Sequence, residues 1–258
     1  MSHDVVFLHP PSVVDYGKRP WFPGPIARTV RAMSPLFIMI PVGVLSIAEH
    51  LIAGGFKTKI VNLGEQILQS PRSKLDESIK SLESKIFAID LHWDVHSCGA
   101  IETARICKEQ HPDSFVLLGG LTASYFSREI MSSFPFVDGV IRGEAEEAVL
   151  TLTEKITKGT SLKDVPNLTY RETDGDVKVN QQAAPKLSID EYRFTNLRLI
   201  EPRHLLLNGP LAAKGQKKYW NLPVCRGCTL NCVTCGWSQY AYRNIFDRER
   251  PAFRSPHR

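Results

Sequence analysis

The chain has 258 residues, 43% of them hydrophobic and 23% charged, with a formal net charge of +5. This composition excludes a disordered or fibrous chain and is typical of a globular protein with more than one domain. The longest apolar stretch, residues 36–56, is interrupted by Pro41, Glu49 and Gly54, so it is a poor transmembrane candidate and no membrane partner is expected.

The N-terminal residues run directly into an apolar strand, which argues against a signal peptide and predicts a cytoplasmic protein. The basic residues form no long stripe with interleaved aromatic side chains, so nucleic acid is not an expected partner.

Short apolar runs and amphipathic helical patterns alternate through residues 1–160. Strands are predicted at residues 5–8, 59–63, 86–89, 115–118 and 137–141, and helices at residues 42–53, 73–82, 100–110, 124–133 and 144–158. Continuous apolar strands separated by amphipathic helices are typical of a parallel sheet covered on both faces. The sequence therefore predicts an α/β domain with a five-stranded parallel sheet of the flavodoxin-like or Rossmann-like type.

In such sheets, ligands bind outside the carboxyl ends of the strands, near the point where the strand order reverses. This rule selects the segments that follow four of the strands, namely residues 9–11, 91–93, 119–122 and 142–144. The glycine pair at 119 and 120 favours close approach of a ligand to the backbone. Helix N-termini that follow these segments favour an anionic group such as phosphate.

Polar residues in these segments also have structural interpretations. His92 and His96, four residues apart, could chelate a metal if they were on a helix, but both fall in a predicted loop. His92 is therefore a candidate pocket residue, and His96 is expected to be structural. Glu144, Glu146 and Glu147 could form a catalytic carboxylate cluster. Their position in a first helical turn favours helix capping and compensation of the helix dipole instead.

Residues 161–220 lack the alternating pattern and are predicted to form a hairpin and a linker. Residues 167–170 and 177–179 read as the two strands of the hairpin, joined through Asp174 and Gly175. The linker that follows carries three apolar anchors for a neighbouring domain, Ile189, Tyr192 and Phe194. A short strand at 222–224 then leads into the C-terminal segment, residues 221–258.

Three cysteines in that segment, Cys228, Cys232 and Cys235, have the spacing C-x₃-C-x₂-C. Three thiolates hold three irons of a [4Fe–4S] cluster and leave the fourth iron open, whereas closed clusters use four cysteines. Cys225 therefore leaves a four-cysteine zinc or iron–sulfur site as an alternative. A disulfide framework is disfavoured because cysteines are sparse in the rest of the chain.

The sequence Arg226-Gly227-Cys228, with Asn231 before the second cysteine, resembles the S-adenosylmethionine (SAM) binding loop of radical SAM enzymes. Further upstream, PVG at 41–43, LLGGLTAS at 117–124 and VDGVIRGEAEEAV at 137–149 resemble the cobalamin-binding domain that precedes many radical SAM domains. DLHWDVH at 90–96 and CGWSQYAY at 235–242 extend the resemblance to the B12-binding-domain radical SAM proteins.

This resemblance implies a [4Fe–4S] cluster on Cys228, Cys232 and Cys235, with SAM bound at the open iron. It also implies cobalamin in residues 1–160, contacted by Pro41, Gly43, His92, Gly119, Gly120, Leu121, Thr122, Gly143 and Glu144. His9 is not expected to bind cobalt, because the chain lacks the Asp-x-His-x-x-Gly motif of methionine synthase-type domains. The implied reaction is reductive cleavage of SAM, with methyl transfer to an unactivated carbon of a small molecule. The implied electron donor is a flavodoxin or ferredoxin.

A partial radical SAM barrel takes about 180 residues at roughly 30 per βα unit, and only residues 236–258 follow the last cysteine. The sequence therefore predicts a truncated barrel. Two alternatives stay open: a non-catalytic cobalamin-binding module with a vestigial cluster loop, and a four-cysteine zinc or iron–sulfur binding protein.

Overall fold

The computed structural model describes residues 2–12, 39–69, 73–201, 222–233, 235 and 237–256. Within these residues, one sheet has the strand order β7-β6-β5-β4-β3-β1-β2-β8. Its strands are β1 (His3–His9), β2 (Thr58–Asn62), β3 (Ser84–Asp90), β4 (Phe115–Gly119), β5 (Gly139–Ile141), β6 (Leu168–Arg171), β7 (Val177–Val179) and β8 (Ile200–Glu201). Strands β1 to β5 and β8 are parallel, which confirms the predicted flavodoxin-like sheet.

Helices cover both faces of this sheet. They are α1 (Val42–Ala53), α2 (Leu63–Gln69), α3 (Ser73–Lys80), α4 (Ser97–Gln110), α5 (Leu121–Tyr125), α6 (Ser127–Ser133) and α7 (Glu146–Lys158). Helix α1 packs against α7 on one face, and α3 packs against α4.

The five predicted helices are present in the predicted order, but the structure differs from the prediction in two places. Helix α2 was not predicted, because its first residue, Leu63, was assigned to the strand predicted at 59–63. The helix predicted at 124–133 begins earlier and is interrupted at Phe126, so that α5 and α6 are separate.

Strand β1 shows why the sheet is central to the fold. Its side chains alternate between the two faces, as expected for a strand. Val6 and Leu8 lie in the apolar cluster on one face, whereas Val5 and Phe7 lie in the cluster on the other. All four are buried. Each such side chain contributes about 1.5–3 kcal/mol to the free energy of folding.

The predicted hairpin is confirmed as β6 and β7, with Gly175 at φ 92° in the turn between them. Strand β6 also pairs antiparallel with β5, in the register Ile141 opposite Leu168. The hairpin therefore extends the sheet beyond the five predicted strands. The boundaries at residues 160 and 220 stay a prediction.

The C-terminal segment forms a small unit beside the sheet. It contains β9 (Cys225–Arg226), which pairs antiparallel with β10 (Ala252–Phe253), and helix α8 (Gln239–Phe246). The short strand was predicted at 222–224, whereas the strand in the structure, β9, begins at Cys225. Two of the predicted anchors, Ile189 and Tyr192, pack with Ala252, whereas Phe194 joins the apolar cluster of the sheet.

Candidate functional site

The ends of β1, β3, β4 and β5 lie at one edge of the sheet, here called the carboxyl edge. The strand order reverses between β1 and β3, where ligands of this fold bind. At this point His9 Nδ1 lies 2.9 Å from Asp90 Oδ1, so the last residues of β1 and β3 are tied together. The ring of His96 lies 5.0 Å from that of His9, and both histidines are buried. His96 is therefore part of the packed base of the edge, in line with the structural role predicted for it.

His92 lies in the loop after β3, directly above this base. Burial and the neighbouring His9 lower its pKa to about 4, and the opposing effect of Asp90 does not cancel this. The imidazole of His92 is therefore neutral at pH 7. Its ring contacts Trp93 at 5.3 Å and Trp237 at 4.5 Å between centroids, so His92 borders the C-terminal segment.

The loops after β3 and β4 are bonded to each other through their backbones. Thr122 Oγ1 donates to the carbonyl oxygen of His92 at 3.1 Å, and the amide of Ala123 donates to that of Leu91 at 3.1 Å. Gly120 has φ 106°, and a Cβ there would lie 2.8 Å from the backbone nitrogen of His92. The close approach that the sequence predicted for a ligand at Gly120 is therefore made by the backbone of the protein itself. Beside Gly119, the nearest atom to an added Cβ is the carbonyl oxygen of Ile141 at 3.9 Å, which leaves this position open.

Gly143 connects the end of β5 to the same edge. Its amide donates to Ser124 Oγ at 3.0 Å, and that hydroxyl donates to the carbonyl oxygen of Gly120 at 2.6 Å. Gly143 has φ 73°, and a Cβ there would lie 2.6 Å from Gln182 Nε2. Glycine is therefore required by the local chain geometry at both Gly120 and Gly143.

Pro41 and Gly43 lie at the start of α1, the helix after β1 in the described chain. Pro41 precedes the first helical residue, and an added Cβ at Gly43 would meet no atom within 4 Å. The N-terminus of α1 therefore offers an open backbone surface at Gly43, and its contact with cobalamin stays a prediction. Leu121 and Thr122 are placed differently, because they form the first turn of α5, and Thr122 donates a hydrogen bond to the loop after β3.

Two glutamates after β5 bind arginines of the C-terminal segment. Glu146 is 3% exposed, and its carboxylate accepts from Arg226 Nη1 at 3.1 Å, from Arg226 Nη2 at 2.6 Å and from Ser46 Oγ at 2.9 Å. Glu144 accepts from Arg248 Nε at 3.1 Å. Burial raises the pKa of Glu146, but the charge and hydrogen bonds of Arg226 outweigh it and hold that pKa below its usual value.

The predicted helix capping by these acidic residues was wrong, because α7 has no side-chain cap, whereas Glu146 and Glu147 do lie in its first turn, where they compensate the helix dipole. Helix α7 begins at Glu146, and Glu144 precedes it without capping it. The side chains of Glu144 and Glu146 instead bind Arg248 and Arg226, while Glu147 pairs with Lys186 at 2.8 Å. Their partners lie some 40 to 104 residues away along the chain, so no local pattern signals these pairs.

The three cysteines lie in one loop, residues 228–235, here called the cysteine loop, between β9 and α8. The amide of Leu230 lies 3.3 Å from Cys228 Sγ, and Asn231 Oδ1 accepts from the amide of Tyr240 at 3.2 Å. Cys232 and Cys235 are exposed, and Cys228 is half-buried. In the described part of the chain, no three His, Cys, Asp or Glu side chains converge closely enough to hold a metal ion.

The cysteine loop fits an iron–sulfur cluster by the chemistry of its donors rather than by a preformed geometry. Thiolates are the ligands of such clusters, and amide donors to sulfur tune them. Cys225 lies opposite Phe253 in the β9–β10 pair and is also exposed, so the four-cysteine alternative stays open. Cys107, in contrast, is fully buried, and burial raises the pKa of its thiol.

Trp237 connects the cysteine loop to the carboxyl edge. It follows Cys235 by two residues, and its ring lies 4.5 Å from His92 and 6.0 Å from Tyr242 of α8. Helix α8 also contacts α5. The predicted cluster ligands and the predicted cofactor edge therefore lie on adjoining surfaces. Across the described ranges, no helix is long and apolar enough to cross a membrane.

Comparisons with known proteins agree with this arrangement. The family model described as B12 binding domain matches residues 28–153. The chain is 24% identical over 228 residues to the anaerobic magnesium-protoporphyrin IX monomethyl ester cyclase of Rubrivivax gelatinosus, covering 79% of this chain and 37% of that protein. It is 23% identical over 222 residues to the hopanoid C-3 methylase of Methylococcus capsulatus, covering 81% of this chain and 38% of that protein.

Among solved structures, the chain is similar in fold to the radical SAM methyltransferase TsrM of Kitasatospora setae with cobalamin and a [4Fe–4S] cluster bound. The TM-score is 0.60 at 12% identity, and the match covers 99% of this chain and 44% of that one. The chain thus spans less than half the length of each of these relatives. Residues 28–153 thus match a B12 binding domain, and the fold of the chain is similar to that of a solved radical SAM methyltransferase.

Proposed function

We propose that the chain acts as part of a cobalamin-dependent radical SAM enzyme that transfers a methyl group to an unactivated carbon of a small molecule. The observation that carries the proposal is the packing of Trp237, next to the cysteine loop, on His92 at the carboxyl edge of the B12-binding domain. A cluster on Cys228, Cys232 and Cys235 would supply one electron to SAM, and cobalamin would supply a methyl carrier.

The residues of this chain have separate tasks in that reaction. Cys228, Cys232 and Cys235 would hold the cluster, and a set of three thiolates would leave one iron free for SAM. Gly119 and the N-terminus of α1 at Gly43 offer the open backbone to cobalamin. His92 and Trp237, whose rings are in contact, would border the space between the two cofactors, with Trp237 partly exposed to solvent. A neutral His92 adds no charge to this space at pH 7.

The remaining features of the proposal follow from the relatives. The names of the relatives and of the solved structure refer to a methylase, a cyclase and a methyltransferase, which supports a small-molecule substrate. We further propose a flavodoxin or ferredoxin as electron donor and a cytoplasmic location, where reduced thiols persist.

The test uses anaerobic reconstitution with iron, sulfide and hydroxocobalamin, followed by metal, sulfide and cobalamin analysis. We expect Cys228→Ala to lose the brown, oxygen-sensitive chromophore and Cys225→Ala, the matched control, to keep it. Loss of the chromophore in both variants would replace the open-iron cluster by a closed four-cysteine site. Zinc without sulfide in the unaltered protein would show the four-cysteine zinc site instead.

A further inference from the structure

Both sides of the cysteine loop are bound to the same short segment of the B12-binding domain. Arg226 immediately precedes Gly227 and Cys228, and its guanidinium binds Glu146 through two hydrogen bonds. Arg248 follows α8, and its guanidinium binds Glu144. Glu144 lies in the turn that follows β5 and Glu146 is the first residue of α7, so both glutamates lie near the carboxyl edge.

The first of these ion pairs is built into the interior. Glu146 is fully buried, and Ser46 of α1 donates a further hydrogen bond to the carboxylate oxygen that Arg226 Nη2 contacts. The guanidinium of Arg226 also lies over the ring of Tyr192 at 5.3 Å from its centroid. A two-point arginine–carboxylate contact fixes orientation as well as distance.

The second ion pair is buried as well. Arg248 is 2% exposed, and its Nη2 also donates to the carbonyl oxygen of Lys186 at 2.7 Å. Gly227, between Arg226 and Cys228, has φ 108°, and an added Cβ would lie 2.9 Å from Pro251 Cα. The chain on each side of the cysteine loop is therefore held tightly, while the loop itself is exposed.

We propose that Glu146–Arg226 and Glu144–Arg248 form a double clamp that positions the cysteine loop against the carboxyl edge. Arg226 and Arg248 are positioning residues, since they act on the cluster site through the backbone that carries the cysteines. The double clamp consists only of side chains of this chain, so it forms without any cofactor. Its consequence, a fixed separation of the cluster from cobalamin, rests on the proposed function.

Amide hydrogen exchange tests the double clamp itself, because exchange reports local opening. In Glu146→Gln we expect peptides covering residues 225–242 to exchange at least about tenfold faster, since the half-buried Arg226 loses its charged partner. Glu154→Gln is the matched control, because Glu154 is an exposed glutamate of the same helix. Unchanged exchange of residues 225–242 in Glu146→Gln would overturn the proposal.

A second variant separates position from stability. The double change Glu146→Gln with Arg226→Met removes both charges and keeps an acceptor for Ser46, so it disturbs the fold less than either single loss of charge. We expect peptides of β1 and β4 to exchange as in the unaltered protein, with residues 225–242 still fast. Full recovery of both regions would mean that the ion pair contributes stability alone, which overturns a positioning role.

The consequence for the cofactors is read by pulsed EPR. In protein reconstituted with cob(II)alamin and a reduced cluster, we expect the double variant to show a broader distribution of their magnetic interaction at unchanged cofactor content. An unchanged narrow distribution would contradict the positioning of the cluster by the double clamp. If the unaltered protein takes up neither cofactor, the proposed function fails, and hydrogen exchange still decides on the double clamp.

Discussion

The sheet and the C-terminal segment are held in place by different forces. The sheet buries continuous apolar strands on both faces, and its two clusters contain the side chains of β1, β3 and β4. The C-terminal segment instead exposes many large apolar side chains, namely Leu222, Val224, Leu230, Val233, Tyr240 and Phe253. It is attached by Arg226 and Arg248 and by a small cluster around Ala252.

This difference determines how strongly each region responds to single substitutions. Apolar burial gives the sheet a stability that depends little on any one polar contact. The C-terminal segment depends on a few directional ion pairs, so its position is specific but sensitive to single substitutions. The sheet thus has a firm apolar core, whereas the chain on either side of the cysteine loop is held at two points.

The largest expected effect is in the core. Phe87 of β3 is completely buried in the apolar cluster on one face of the sheet. Phe87→Ala should lower the free energy of unfolding by about 3–5 kcal/mol, because it removes a large side chain and leaves a cavity. Chemical denaturation measures this. Val233→Ala, at a fully exposed position of the cysteine loop, is the control and should change stability by less than about 0.5 kcal/mol.

Two glycines offer a sharper comparison, since the same substitution should have opposite signs. Gly120→Ala places a Cβ 2.8 Å from the backbone of His92 at φ 106°, so we expect a loss of more than about 1 kcal/mol. Gly43→Ala adds a Cβ in open space within a helix and should stabilise by about 0.4–1 kcal/mol. Thermal and chemical unfolding check both. Equal effects at the two sites would show that the contact between the loops after β3 and β4 is not tight.

These two glycines also show how far the sequence predicts the site. Periodicity and glycine placement identified the five parallel strands and the carboxyl edge, because strands and helix ends are local patterns. The partner of Gly120, the backbone of His92, was not predictable. The contacts of Glu146 with Arg226 and of Trp237 with His92 were not predictable either. They join residues that are distant in sequence, and a single sequence carries no signal for them.

The pKa of His92 predicts a modest dependence of stability on pH. The imidazole titrates near 6.5 in the unfolded chain and at about 4 in the folded protein. Between these values the unfolded state binds more protons, so stability falls as pH is lowered from 6.5 to 4. His92→Gln should flatten this part of the curve of unfolding free energy against pH. An unchanged slope in that variant would assign the acid sensitivity to other groups.

The smallest effect is expected at an ion pair between Lys155 of α7 and Asp164, which follows this helix. Lys155 Nζ lies 3.7 Å from Asp164 Oδ2, and the carboxylate is largely exposed. Asp164→Asn should change the free energy of unfolding by less than about 0.5 kcal/mol, because water and salt screen such pairs. The contrast with Glu146→Gln, measured by the same denaturation experiment, separates a buried positioning pair from a surface one. A similar cost for both would remove that distinction.

The EPR spectrum of the anaerobically reconstituted, reduced protein with and without SAM tests most directly whether the cluster has an open iron. We expect a [4Fe–4S]⁺ signal that depends on Cys228, Cys232 and Cys235 and shifts when SAM is added, in protein that also holds cobalamin. A cluster signal that is indifferent to SAM would contradict an open iron and leave a cobalamin-binding module without the enzyme's cluster chemistry.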